Sequence, residues 1–167
     1  TAAATDSLLY ETDHFTIPAG VFEVGTLLRI RATGIISNAV TTPGAVSFTV
    51  MFTDPSLTDA NVWASGTFDL NIVDKADVSW WLDIELVCDG IGAVATLYGM
   101  GKFISESVVG SPLPTVGGAG TLLLPVATPG SGASFNSRFA QDVDLQWTTD
   151  VATGSITLKS FALELLN

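Results

Sequence analysis

Val78-Ser-Trp-Trp-Leu-Asp-Ile-Glu-Leu-Val87 sets the architecture of this 167-residue chain. From Trp81 onward apolar and acidic residues alternate, so Leu82, Ile84 and Leu86 share one face while Asp83 and Glu85 share the other. A repeat of two marks a strand with one buried and one solvated face, because successive side chains of extended chain point to opposite sides; a helix would repeat about every 3.6 residues. The same parity divides the paired tryptophans. Trp80 belongs with Leu82 and Ile84, whereas Trp81 falls outward with Asp83 and Glu85. An outward tryptophan serves as a sugar-stacking platform or an interface anchor, unless a loop covers it.

Similar runs recur on both sides of this one. Leu27 to Ile36 sends Leu28, Ile30 and Ala32 one way and Arg29 and Arg31 the other, after a turn at Gly25. Val46 to Thr53 sends Val46, Phe48, Val50 and Phe52 inward and the hydroxyls of Ser47 and Thr49 outward. Ser7 to Tyr10, Phe15 to Ile17, Gly66 to Ile72, Val94 to Phe103, Val143 to Trp147 and Ser155 to Leu165 read as further strands, bounded by Gly, Pro, Asp or Asn. Nine or ten strands and almost no helix are expected. The last two runs are separated by Asp150-Val-Ala-Thr-Gly154, which reads as a hairpin in which Gly154 supplies a positive φ, with Ile156, Leu158 and Phe161 in the core. Many short antiparallel strands predict an all-β antiparallel β-sandwich. A jelly roll is favoured over an immunoglobulin-like domain, whose Cys, Trp, Cys spacing is missing.

Ser105 to Phe135 breaks the pattern with Pro112, Pro114, Gly117, Gly118, Gly120, Pro125, Pro129, Gly130 and Gly132. It reads as a long loop or arm at about 105–135, whose Leu122, Leu123 and Leu124 touch the core or a neighbouring subunit. That makes it the expected intersubunit arm. Without an internal repeat or a linker, residues 1–167 are expected to form a single domain, long enough to bury roughly two thirds of its unfolded surface.

Composition narrows the partners. Hydrophobic residues make up 47% and charged residues only 14%, so much of the surface must be apolar or hydroxyl-bearing, as on a protein that meets other proteins. Seventeen acidic against six basic residues give a net charge of -11, which argues against direct nucleic-acid binding, since that affinity comes from clustered Lys and Arg. No apolar run is long enough to cross a bilayer, and Thr1 to Tyr10 lack the pattern of a signal peptide, so neither membrane insertion nor classical secretion is expected. The single Cys88 has no internal partner and reads as a buried thiol.

The residues that carry catalysis are sparse. His14, the one histidine, has Asp13 as its chain neighbour but no Gly-x-Ser-x-Gly elbow anywhere to serve, so it reads as a polar loop residue. One His and one Cys do not make a zinc site. Asp83 and Glu85 come from one strand, whereas glycosidase carboxylates face each other across a cleft, so they read as a solvated or interfacial face. Asp54 with Asp59, Asp74 with Asp77, and Asp142 with Asp144 lack the spacing of a calcium loop and read as turn residues and caps. Neither an enzyme nor a cofactor or metal is expected.

Trp80-Trp-Leu-Asp-Ile-Glu-Leu-Val, Val143-Asp-Leu-Gln-Trp-Thr-Thr, Thr153-Gly-Ser-Ile-Thr-Leu and the terminal Leu163-Glu-Leu-Leu-Asn resemble small β-rich virion proteins of tailed bacteriophages, as do Leu8-Leu-Tyr, Phe15-Thr-Ile-Pro-Ala-Gly and Val24-Gly-Thr-Leu-Leu-Arg-Ile-Arg-Ala-Thr-Gly. The likeness lies in patterns, and it transfers no catalytic residue. It implies a jelly-roll capsid decoration or cement protein: a homotrimer that assembles in the host cytoplasm, binds the major capsid protein and stabilises the head by bridging capsomers. Its seam is expected to use Trp81, Asp83 and Glu85, with the N-terminal segment or the arm carrying Leu122, Leu123 and Leu124 reaching a neighbour. A carbohydrate- or receptor-binding jelly roll of a tail fibre or adhesin, with a glycan as partner, is the alternative.

Overall fold

The computed structural model describes residues 4–9, 15–39, 44–56, 58–108 and 120–166. Among them are eleven strands and no helix: β1 (Ala4–Ser7), β2 (Phe15–Ile17), β3 (Leu27–Asn38), β4 (Ala45–Thr53), β5 (Asp59–Ala64), β6 (Phe68–Asp69), β7 (Lys75–Gly90), β8 (Thr96–Ser105), β9 (Thr121–Leu124), β10 (Gln141–Thr149) and β11 (Ser155–Leu166). They form two antiparallel sheets, packed as a β-sandwich. Sheet A runs β1-β10-β4-β5, with β2 also on β10 and β6 also on β4; sheet B runs β11-β3-β7-β8-β9.

The alternation places the core as expected. Leu28, Ile30, Ala32, Val46, Phe48, Val50, Phe52, Leu82, Ile84 and Leu86 are buried between the sheets. Phe48, Trp80 and Phe103 cluster with centroids 5.1 to 6.0 Å apart, and Phe22, Phe52 and Phe135 form a second group with two edge-on contacts. Such pairs add directional preference to the burial of large apolar area. Trp80 splits from Trp81 by parity: its ring is buried and its indole N–H donates to the Ile35 carbonyl at 3.1 Å, beside Gly34. A Cβ at Gly34 would strike both the Thr157 carbonyl and this indole, so glycine makes room where β3, β7 and β11 converge.

Three expectations are overturned. The residues from Val143 onward and those from Ser155 onward do not form a hairpin: β10 lies in sheet A and β11 in sheet B. Gly154 does not have a positive φ, and the connection crosses the end of the sandwich instead. There Val151 is buried, and Asp150 grips the start of β4, its carboxylate accepting from the Ala45 N–H at 2.7 Å. Next, the first strand ends at Ser7 rather than starting there, and Tyr10 lies outside the described residues.

The expected long irregular loop is the third. Residues 109–119 lie outside the described part, but 120–135 dock on their own chain. Thr121–Leu124 is a sheet B strand beside β8. Beyond Leu124 a strap ties the margins of both sheets: the Val126 and Ala133 N–H groups donate to Ser65 and Asn61 carbonyls of the sheet A side, and Gly132 donates to Leu97 of β8. Phe135 exchanges two 2.9 Å bonds with Ala95. The proline- and glycine-rich composition thus serves a covering segment whose backbone groups are satisfied by strand edges.

Candidate functional site

Outward positions of sheet A carry hydroxyls, amides and acids that satisfy one another. Ser7 donates to Asp144 at 2.6 Å, Thr16 to Asp142 at 2.6 Å and Thr53 to Asp59 at 2.7 Å, while Gln146 donates to Asp144 at 3.0 Å. Asp54 accepts from the backbone of Ser56 and Thr58, the turn role expected of it. Among the described residues no three potential metal ligands converge. His14 lies outside the described residues.

The outer face of sheet B is built differently, and register explains how. Side chains directly opposite on neighbouring strands share a face. One row across the sheet is Glu164, Arg29, Glu85 and Met100; the next is Ala162, Arg31, Asp83, Lys102 and Leu123. Charges therefore alternate along each row, with Arg29 and Arg31 together on β3 and Asp83 and Glu85 together on β7. Arg29 reaches diagonally to Asp83 with both Nε and Nη2, at 3.1 and 3.0 Å, and to Glu85 at 3.5 Å. Arg31 lies 3.8 Å from Glu164 and 4.0 Å from Asp83. The hydrogen bond from Arg29 holds the Asp83 carboxyl below its ordinary range against the opposing effect of burial, with the charges of Arg29, Arg31 and Lys102 assisting. In turn, Asp83 raises the Arg29 guanidinium.

Apolar side chains flank this charged band at both ends. On one side Leu27, Val87 and Tyr98 share a row, adjoining Met100 and Leu123. On the other Trp81 faces Ile104 across β7 and β8, with Thr33 and Thr121 beyond. Trp81 is 48% exposed, Met100 57% and Leu123 77%, large values for side chains that lie on an ordered sheet. Three of the chain's six basic residues, Arg29, Arg31 and Lys102, sit here against Asp83, Glu85 and Glu164. The band sums to zero on a molecule of net charge -11, so the acidity lies elsewhere.

Of the six residues singled out from sequence, Trp81, Asp83, Glu85 and Leu123 come together on this face. Leu122 and Leu124 instead point into the core and are buried, a consequence of strand alternation within β9. Tyr98, Met100, Lys102 and Ile104 were not singled out, although their spacing of two in Tyr98-Gly-Met-Gly-Lys-Phe-Ile104 carries the outward row. Cys88 is buried as expected, its thiol donating to the Gly90 carbonyl at 3.2 Å, and burial pushes the thiol up.

Comparison with protein-family models, with curated proteins and with solved structures found no match.

Proposed function

We propose that the chain is a virion structural protein of the capsid-decoration type, a homotrimer that stabilises a phage head by bridging capsomers, with the outer face of sheet B as its contact surface. One observation carries the assembly role: the band of matched charge flanked by exposed Trp81, Ile104, Tyr98, Met100 and Leu123, set on a strongly acidic molecule. Elsewhere, like charge opposes the approach of another acidic surface; on this face the repulsion is removed and apolar area is available. Apolar flanks supply the energy of contact, and the alternating charges set its orientation. Three linked protomers would turn a weak individual contact into a firm attachment through effective concentration. The capsid assignment itself rests on the resemblance of sequence pattern.

Light scattering coupled to size exclusion tests this over a range of concentrations, together with sedimentation in the presence of capsid shells. A stable mass of three protomers and co-sedimentation with shells are expected. A monomer that neither associates nor binds shells would overturn the reading.

A second reading, a carbohydrate-binding sandwich, is favoured by one observation. The groove of about 620 Å³ beside Trp81 is lined by Thr33, Ser79, Ile104, Glu106, Thr121 and Lys159, an aromatic face ringed by groups that bond sugar hydroxyls. Quenching or a shift of tryptophan fluorescence on titration with neutral oligosaccharides would favour it over the assembly reading.

A further inference from the structure

We propose that β11 is a pairing edge for a second copy of this chain, joined antiparallel about a two-fold axis at Ala162. This contact does not depend on the decoration role; it adds a two-fold junction to whatever the outer face of sheet B does.

The sheet margins differ in length and in cover. β11 runs 12 residues along the margin of sheet B, and among the described residues only β3 pairs with it. The other margins are short or covered: β9 and β1 have four residues each and β2 three, while the strap bonds to β5 at Asn61. An unpaired edge presents N–H and C=O groups on alternate residues, which templates another strand. Proteins commonly blunt such edges with Pro, charge or a bulge. β11 has no Pro, and its bulge, between Leu158 and Ser160, places Lys159 near one end. Beyond the bulge Ser160 to Leu166 is regular, with Glu164 as its one charged residue.

Packing points the same way. Phe161 and Leu163 lie opposite Ala32 and Ile30, which are fully buried, yet they are themselves only partly covered. From sheet A the Phe15 ring reaches this row, 4.9 Å from that of Phe161. The inner side of β11 is therefore an apolar ledge beside an open edge, and a second sandwich placed alongside covers both at once.

Register, charge and side-chain size together select the axis. Two sheets continuing into one another must match inner rows with inner rows, because directly opposed side chains share a face. An axis at Ala162 does this, setting Phe161 against Leu163 of the second copy and Ser160 against its Glu164. Lys159, outward in the bulge beside Ser160, then adjoins that same Glu164, once in each direction. Ala162 carries only a methyl group on the outer face, so nothing bulky stands on the axis. The two five-stranded sheets become one of ten strands.

Ala162→Cys tests this. Opposed Cβ atoms at the axis would lie about 4.5–5.5 Å apart, near disulfide range, and buried Cys88 does not compete. Under mild oxidation most of the protein should run as a disulfide-linked pair on a non-reducing gel. Thr157→Cys, across the bulge and many residues from the axis, should not link. As a second arm, Lys159→Glu and Glu164→Lys should each lower pairing several-fold, and the double exchange should recover it. Absence of the Ala162→Cys pair, or equal linking at Thr157→Cys, overturns the proposal. A three-protomer mass without that pair removes the edge contact and leaves the decoration reading; a linked pair in a species of only two protomers supports the edge contact and removes the trimer.

Discussion

The two outer faces of the sandwich follow the same alternation and differ in what their outward residues need. On sheet A, short side chains close on their neighbours: Ser7 on Asp144, Thr16 on Asp142, Thr53 on Asp59. Among the described residues, the one large apolar side chain that stands exposed on a sheet A strand is Phe15, whose ring turns onto Phe161 and away from these pairs. On sheet B, longer side chains form an ion lattice in which Arg29 holds two acids of β7 and Arg31 bridges β7 and β11, and Trp81, Met100 and Leu123 stand beside it largely uncovered. A face made of self-satisfying pairs gains little from a partner. A face that combines a neutral lattice with open apolar flanks has more to gain, because contact removes apolar area from water without exposing an unpaired charge.

The strongest challenge to this contrast is Trp81→Ala. Loss of this exposed aromatic anchor should weaken self-association by about 2 kcal/mol, roughly thirtyfold in dissociation constant. Sedimentation measures it, and Thr49→Ala on sheet A should leave the assembled mass unchanged. Equal responses from both variants would erase the distinction between faces.

Removing the hub of the lattice comes next. Asp83→Ala takes from Arg29 the two hydrogen bonds it donates to that carboxylate, leaving it Glu85 alone, and should cost the monomer about 1 kcal/mol in urea unfolding after allowance for solvent screening. The pH dependence sharpens this test. Asp83 titrates below its ordinary range when folded, so its contribution is fully present above the unfolded value of about 4 and fades as pH falls through the lowered folded value. Unfolding midpoints of the native protein and of Asp83→Asn should therefore differ at neutral pH and converge on acidification. A gap that persists or widens in acid would contradict the role given to Arg29.

The smallest effect belongs to sheet A. Thr16→Val removes one exposed hydroxyl-to-carboxylate bond, and about 0.5 kcal/mol or less is expected in the same unfolding assay. A larger loss would mean that this face is as interdependent as the lattice.

Parity along a single strand was readable from sequence; pairing between strands was not. The split of Trp80 from Trp81, the inward rows of β3 and β4 and the outward arginines all stem from a period of two. β5 escaped notice because a bulge turns adjacent Val62 and Trp63 both inward, which removes the alternation. β9 escaped because three consecutive leucines show no alternation, though two are buried and one exposed. The supposed hairpin after β10 fails for a related reason: alternation with a glycine between describes each strand and says nothing about which sheet it joins. The lattice depends on register among β11, β3, β7 and β8, so its ion pairs emerge only from long-range contacts.

The strap between Val126 and Phe135 also governs how the molecule breathes. It fastens the margins of both sheets along one flank, whereas the opposite flank ends on β11, which is hydrogen-bonded among the described residues to β3 alone. Thermal opening should thus resemble a book bound along one spine. In the single protomer, amide hydrogens of β5 and β8, next to the binding, should exchange with solvent only in rare global openings, and those of β11 should exchange through shallow, frequent ones.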